Sequence, residues 1–543
     1  MKAAFAASVL AAALGAGLGG AAFAQDVVRQ QFQDGGIYEG TFRNGLQHGR
    51  GTYTLPSGYR YEGDWVEGAI QGRGQAHFPN GSVYEGEFSA GKPHGYGRIT
   101  FADGGTYEGQ WVESHMTGEG VAAYANGSRY EGSFVDGVHH GQGRLSHAEG
   151  WRYEGSFVDG VQEGEGRLTY ADGSIYEGRM AAGRPAGRGR LTTEAGMVYD
   201  GVWTAGQMTG QAALTQPSGD IYEGEMVEGR REGQGRDTYA NGDVYEGQYR
   251  NDQRHGHGVF TSAECLDGAA QADSPAPAQD QGGCFVYDGD WVEQRMEGQG
   301  RIIYPDSAVY EGGMRNNLPE GQGKITYPDA STYEGQWRAG EIEGEGIATY
   351  ANGMTYEGQF RASRNEGRGR MTYPDGMIYE GDFRAGERDG QGRATYPDGA
   401  VYEGSFVAGL REGTGTLTTP DGFVYEGEWK AGMIEGQGTA TYATGDSYSG
   451  HFVAGKRQGE GVMRYASGQT ASGDWDENRL TRARPISTEG PAPVAAELID
   501  ETAPLEDEGA TAPPLATGDG AGEAAGAGAE DASGDATSDA PAN

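Results

Sequence analysis

Hydrophobic and polar residues alternate along this chain in short runs, and the runs return with a fixed period. Tyrosine opens a Tyr-acid-Gly triplet at Tyr38, Tyr61, Tyr84, Tyr107, Tyr130, Tyr153, Tyr176, Tyr199, Tyr222 and Tyr245. After a longer interval the triplet resumes at Tyr287 and continues through Tyr310, Tyr333, Tyr356, Tyr379, Tyr402 and Tyr425. Serine replaces the acid after Tyr448, and Ala471 opens a worn last copy. Each step is 23 residues, except the 42 between Tyr245 and Tyr287, which gives 19 copies, 18 of them with the tyrosine. A fixed period of this size is the signature of a stacked-repeat architecture.

Counted from its tyrosine as position 1, the copy from Tyr379 to Val401 reads YEGDFRAGERDGQGRATYPDGAV. Positions 1, 3 and 5 fall on one face of a strand, and positions 12, 14, 16 and 18 on one face of a second. Position 5 is aromatic in most copies and takes seven of the eight tryptophans, Trp151 being the exception. Position 18 is aromatic or apolar in most copies, as at Leu55, Phe78, Tyr124 and Tyr350. Glycine at position 8, and Pro-Asp-Gly or Ala-Asn-Gly after the second strand, are turn chemistry. Each unit therefore reads strand, turn, strand, turn, and glycine recurs too often for a helix. The bare glycines at positions 3, 12 and 14 leave room for the aromatic rings to lie on neighbouring backbone.

The unit Tyr-Glu-Gly-x-Trp/Phe-x-x-Gly-x-x-x-Gly-x-Gly closely resembles the MORN repeat, over roughly residues 37–478. The resemblance implies one β-hairpin per repeat and a role in binding proteins or membranes rather than in catalysis. The expected fold is all-β: an elongated, single-layer antiparallel sheet of 19 stacked hairpins followed by a disordered C-terminal tail.

Taken in order, residues 1–24 read as a secretory signal peptide, with Lys2, an alanine-rich apolar run and cleavage after Ala24. Residues 25–37 are a lead-in, 38–262 hold repeats 1–10 and 287–480 hold repeats 11–19. Residues 263–286 form an inserted loop flanked by the only two cysteines. Cys265 and Cys284 both map onto the turn-glycine position of the repeat, so a disulfide between them is expected to close the loop. From residue 481 to 543 the composition turns to Ala, Gly, Pro, Asp and Glu, with thirteen acids after Arg484, which predicts disorder.

A formal charge of −39 opposes nucleic acid and disfavours anionic membrane, although a membrane-surface role stays as the alternative that the family resemblance implies. Glutamate at position 2 and frequent Arg or Lys at position 15 share the face opposite the aromatics, where cross-strand pairs keep the sheet solvated. His48, His94, His140 and His255 recur at position 11; the first three are spaced two repeats apart, too far for one metal. No nucleophile motif, phosphate loop or distinct carboxylate pair is present, so no enzyme activity and no cofactor is expected. The reading is an exported, periplasmic or extracellular scaffold that binds a protein or peptide partner, or itself, along its aromatic face. The candidate binding residues are Tyr61, Trp65, Tyr107, Trp111, Tyr333, Trp337, Tyr425 and Trp429.

Overall fold

The computed structural model describes residues 27–269 and 283–484. The signal-peptide reading, the middle of the insertion and nearly all of the tail lie outside these residues. The described residues form 39 β-strands and one short helix, Ala263–Ala269. They belong to two compact units, divided in sequence between Met208 and Thr209. Within each unit the strands pair antiparallel in chain order, so every repeat is a hairpin hydrogen-bonded to the next. The all-β hairpin architecture is thus the observed one.

The hairpin opened by Tyr379 shows how the sequence sets the geometry. Its strands are Ile378–Arg384 and Glu387–Thr395. Between them Ala385 and Gly386 both take left-handed backbone, with φ of 52° and 94°. Two such residues make the hairpin turn whose twist matches that of the strands. Alanine pays roughly 1 kcal/mol for this conformation, and its N–H is held by Glu366 Oε2 of the preceding repeat at 2.9 Å. Further along, Gly381 faces Gly392 and Phe383 faces Arg388, with a bulge between. Gly390, at φ 121°, sits in that bulge rather than under a ring, which corrects the expectation for position 12. The Asp382 carboxylate accepts from the Gln391 N–H at 2.9 Å to fasten the bulge.

After the second strand the chain turns back through Pro-Asp-Gly. Tyr396 N–H donates to Ala400 O at 2.8 Å, Gly399 N–H to Tyr396 O at 2.9 Å, and Ala400 N–H to the Asp398 carboxylate at 2.8 Å. The insertion interrupts this turn without breaking it. Ser262 N–H still reaches across to Phe285 O at 2.9 Å, and Cys265 N–H reaches Ser262 O at 3.1 Å. The Cys265–Cys284 disulfide is formed, with Cα atoms 4.7 Å apart. The helix at Ala263–Ala269 was not foreseen; it begins where the repeat pattern stops and an Ala-Glu-Cys-Leu run replaces the glycine turn.

Two boundaries also differ from the expectation. A strand at Val28–Gln31, inside the lead-in, pairs with the first repeat and covers its edge. At the other end, the last strand runs over Arg479–Ala483, so residues 481–483 belong to the final hairpin and not to the tail.

The core is a chain of aromatic rings. Tyr379 lies across Gly381 and Gly392 of its own hairpin. A Cβ placed on Gly392 would stand 2.3 Å from its hydroxyl, and one on Gly381 2.5 Å from the Gly392 Cα. Its hydroxyl donates to Asp382 O at 3.0 Å. Phe383 of the same repeat and Phe406 of the next meet its ring edge-on, with centroids at 5.1 and 5.0 Å. The first unit repeats this arrangement: Tyr107 meets Trp111 and Phe134 at 5.4 and 4.9 Å. Each such pair adds about 0.5–1.5 kcal/mol beyond the area it buries. Burial holds the Tyr107 and Tyr130 phenols up at about 12.

Candidate interaction surfaces

All eight aromatics named as binding candidates sit in this column. Tyr61, Tyr107, Tyr333 and Tyr425 are fully enclosed, and Trp65, Trp111, Trp337 and Trp429 are 4–7 % exposed. Their rings are core and offer no contact surface, contrary to the expectation of an aromatic groove. Two features close the column. Each tyrosine presses onto the glycines of its hairpin, and each tryptophan turns its polar edge inward to donate to a glycine carbonyl of the preceding repeat. Trp337 Nε1 donates to Gly323 O at 3.1 Å and Trp429 Nε1 to Gly415 O at 3.1 Å. Trp65 and Trp111 do the same toward Gly51 and Gly97.

The open surface lies on the opposite face. In the second unit, position 15 of one repeat stands beside position 2 of the next, producing a ladder of alternating sign. Arg301 pairs with Glu311 at 3.2 Å, Lys324 with Glu334 at 3.7 Å, Arg370 with Glu380 at 3.2 Å and Arg393 with Glu403 at 3.3 Å. These exposed pairs contribute up to about 1 kcal/mol each. The Arg370–Glu380 and Arg393–Glu403 pairs, with Glu334, line a groove of about 1720 Å³ that runs over the strands from Gln322 to Thr439, with glycine backbone at its floor. Six glutamates and three arginines line it. Among the described residues, Glu357 and Glu426 make no ion pair: Glu357 stands between Ile347 and an Arg370 that pairs with Glu380, and Glu426 stands between Thr416 and Thr439. Sequence reasoning assigned this face to solvent. Its alternation was visible in the pattern, but the concavity of the sheet was not.

A second surface flanks the aromatic column, where positions 10, 18 and 22 of successive repeats meet. In the second unit Arg388 and Arg411 sit here, 2–3 % exposed, with their guanidinium groups over rings. Arg388 is 5.4 Å from the Phe406 centroid and Arg411 4.5 Å from that of Trp429. The Arg388 Nη2 donates to Gly409 O at 2.6 Å, tying one hairpin to the turn of the next. In an earlier repeat of the same unit, Arg231 occupies this position and pairs with the buried Asp237 at 3.0 Å. Tyr249 donates to the same carboxylate at 2.5 Å. Burial and the Asp237 charge push the Tyr249 phenol far above its ordinary value.

The first unit fills the same position with His139. Its ring stacks on Tyr130 at 3.7 Å, and its Nε2 lies 2.5 Å from the Tyr124 hydroxyl. Burial lowers its pKa to about 4, so it is neutral at pH 7. The histidines at position 11 occupy a linking site: other copies carry a carboxylate there that accepts from the turn N–H of the next repeat. Glu163 holds Ala182 at 3.0 Å and Glu320 holds Ala339 at 2.8 Å. His140 stands 3.9 Å from Asp159 of the next turn. The recurrence of Glu or Asp at position 11 was the signal for this link.

Fold and surfaces together define a tandem-repeat β-sheet scaffold. The chain belongs to the MORN repeat family. The MORN repeat model matches 17 segments, from 38–58 to 448–470, which together cover more than half of the chain. The copies opened by Tyr176 and Ala471 are not matched, yet both form hairpins. In the first Met180 replaces the aromatic at position 5, and in the second Ala471 replaces the tyrosine. Repeats of this family mediate protein or membrane interactions and serve as scaffolds.

No curated protein is significantly similar to the chain. Among solved structures, the TCP10 domain of Danio rerio CPAP is similar at 13 % identity with a TM-score of 0.19, covering 44 % of this chain and 93 % of that one. The TCP domain of Drosophila melanogaster SAS-4, in complex with a proline-rich motif of Ana2, is similar at 13 % identity. Its TM-score is 0.18, and the match covers 42 % of this chain and 97 % of that one. A streptogramin B lyase matches at 13 % identity with a TM-score of 0.10, covering 57 % of this chain and 90 % of that one. At such scores none of these likenesses bears on function.

Proposed function

We propose that the chain is an exported, non-enzymatic scaffold that holds an extended segment of a protein partner in the groove over Gln322–Thr439. The observation that supports this reading most is the groove itself. It is an open, net acidic surface with a carboxylate at every repeat and glycine floors that let another backbone approach. Glutamates at position 2 recur every two strands, about 9.6 Å apart. A segment in polyproline II conformation advances about 9.3 Å per three-residue turn with every third side chain on one face, so a lysine or arginine at every third residue meets one carboxylate per repeat. Export follows from the apolar, alanine-rich N-terminal sequence ending at Ala24.

The test uses chain 25–543 and a fluorescent peptide of five Lys-Gln-Thr repeats, read by anisotropy at low and high salt. Saturable, salt-sensitive binding is expected, weakened at least tenfold when Glu357, Glu380 and Glu403 are all changed to lysine. Equal binding by the triple variant would remove the groove from the reading. Stronger binding to anionic vesicles than to the peptide would replace the protein partner with a membrane surface.

A further inference from the structure

In the first unit, the face that carries the charged columns departs from its pattern at the repeat opened by Tyr176. Position 4 of that repeat is Arg179, the only arginine or lysine among the 19 residues at this position. Elsewhere position 4 supplies an acceptor that fastens the bulge of its hairpin. Asp64, Asp290, Asp382 and Glu428 each accept from the position 13 N–H of their own repeat, at 2.9–3.1 Å. An arginine side chain has donors only, so Arg179 cannot do this for the Arg188 N–H. The space that the carboxylate fills elsewhere is open here. A Cβ built on Gly390 would stand 2.7 Å from Asp382 Oδ2, whereas one on the equivalent Gly187 would meet only Arg179 methylenes, at 3.7 and 3.9 Å.

The neighbouring column is incomplete at the same place. Four arginines occupy position 13, and three of them pair with a position 4 acid of the next repeat. Arg50 stands 3.8 Å from Asp64, Arg73 3.9 Å from Glu87 and Arg368 3.7 Å from Asp382. The fourth, Arg188, faces Val202. Arg190 faces Asp200, one methylene shorter than the usual glutamate. Arg179, Arg188 and Arg190 are all exposed, and none makes an ion pair with the described residues. Arg179 and Arg188 adjoin the facing glycines Gly178 and Gly189, which places them side by side across the hairpin. Arg188 and Arg190 share one face of one strand, roughly 6.8 Å apart.

We infer that the repeat opened by Tyr176 is a docking point for an extended acidic segment of a protein partner, with Asp or Glu at alternate positions. One carboxylate takes the place over Gly187 that Asp382 takes over Gly390, between the guanidinium groups of Arg179 and Arg188. The next, two residues on, meets Arg190. Guanidinium forks match carboxylates in geometry and charge. The ligand must carry spaced single charges, because Glu165 faces Arg179 while Glu177 and Asp200 flank Arg190. A polymer with a charge on every unit would also lie against those acids. This inference goes beyond the scaffold reading and does not depend on the groove having a partner.

The experiment mixes chain 25–543 with a fluorescent peptide of five Glu-Thr repeats and reads anisotropy. Salt is held at about 0.1 M, where the field of distant charges is screened beyond about 10 Å. A Gln-Thr peptide of equal length is the control, and saturable binding of the Glu-Thr peptide alone is expected. Two variants fill the site from within, each copying an arrangement found in other repeats. Arg179→Asp restores the bulge acceptor, and Val202→Asp gives Arg188 a partner in its own chain. Each should weaken binding several-fold while far-UV circular dichroism is unchanged. Absence of binding, or binding by either variant equal to that of the unmodified chain, would overturn the inference. Tripolyphosphate binding more tightly than the peptide, read by competition, would overturn the assignment to carboxylates. Arg179→Asp should leave binding of the Lys-Gln-Thr peptide in the groove unchanged, so the two proposals fail independently.

Discussion

The hairpins opened by Tyr130 and by Tyr379 lie in different units and share one frame with different fillings. In each, the tyrosine lies across two facing glycines, Gly132 with Gly143 and Gly381 with Gly392. In each, position 5 is a phenylalanine that meets the tyrosine edge-on. Position 10 differs: His139 stacks flat on Tyr130, whereas Arg388 caps the turn of the next repeat from among three rings. The frame fixes the backbone, and positions 10, 18 and 22 then give each stretch its own chemistry. Repetition and individuality thus occupy different positions of the same 23-residue unit.

The largest effect should come from the frame, and it should be the same in both units. Replacing Gly392 or Gly143 with valine puts a Cβ 2.3 Å from the hydroxyl of a tyrosine that is itself fully buried and has no room to withdraw. Each change is expected to cost about 3 kcal/mol, read as a lower urea midpoint and as faster hydrogen exchange in the repeats on either side. A cost at Gly143 well below that at Gly392 would break the claim of a common frame.

Next comes acid, which should separate the two hairpins. His139 has a folded pKa of about 4, below its unfolded value near 6.5. Its contribution is complete above pH 6.5, declines as pH falls, and is gone below about 4. Part-exposure of the ring limits this to about 1–2 kcal/mol. Hydrogen exchange in the strands of residues 129–158, measured at equal intrinsic rate, should accelerate between pH 6.5 and 4. Strands 378–407, with arginine at position 10, should not share this window. His139→Met should abolish the difference, and an unchanged pH profile in that variant would remove His139 as its source.

The smallest effect concerns position 5. Trp337→Phe loses the hydrogen bond to Gly323 O but keeps an edge-on ring, as Phe360 does in the next repeat. A loss of about 1 kcal/mol is expected, detectable as a shift in the unfolding midpoint. A much larger loss would mean that tryptophan and phenylalanine repeats are not interchangeable, and the common frame would need a third class of position.

The tyrosine period and the alternation around it made the hairpin legible, because both are properties of one strand and its neighbour. Pairing of the position 2 and 15 columns followed from the same alternation, as Arg393 and Glu403 show. Which face stays open was not legible. Closure of the aromatic side depends on Tyr379 pressing onto Gly381 and Gly392 and on Trp429 Nε1 reaching a carbonyl one repeat back. Those contacts need the bulge at Gly390, which shifts the strands past each other and leaves no mark on the period. The proposed site therefore lies at the carboxylates behind the rings and not at the rings. The link made at position 11 went unseen for a related reason, since its partner lies 19 residues away in the next turn, as for Glu366 and Ala385.

The disulfide between Cys265 and Cys284 has a consequence for how such an array changes over time. It fastens the two ends of an insertion at the point where every repeat makes its turn, and the hydrogen bond from Ser262 to Phe285 survives across it. Growth at that point leaves the phase of all downstream repeats untouched. The position works as an expansion joint: length and composition can vary inside it while the periodic body keeps its count. Any of the other Pro-Asp-Gly or Ala-Asn-Gly turns, given the same pair of cysteines, becomes a socket of the same kind.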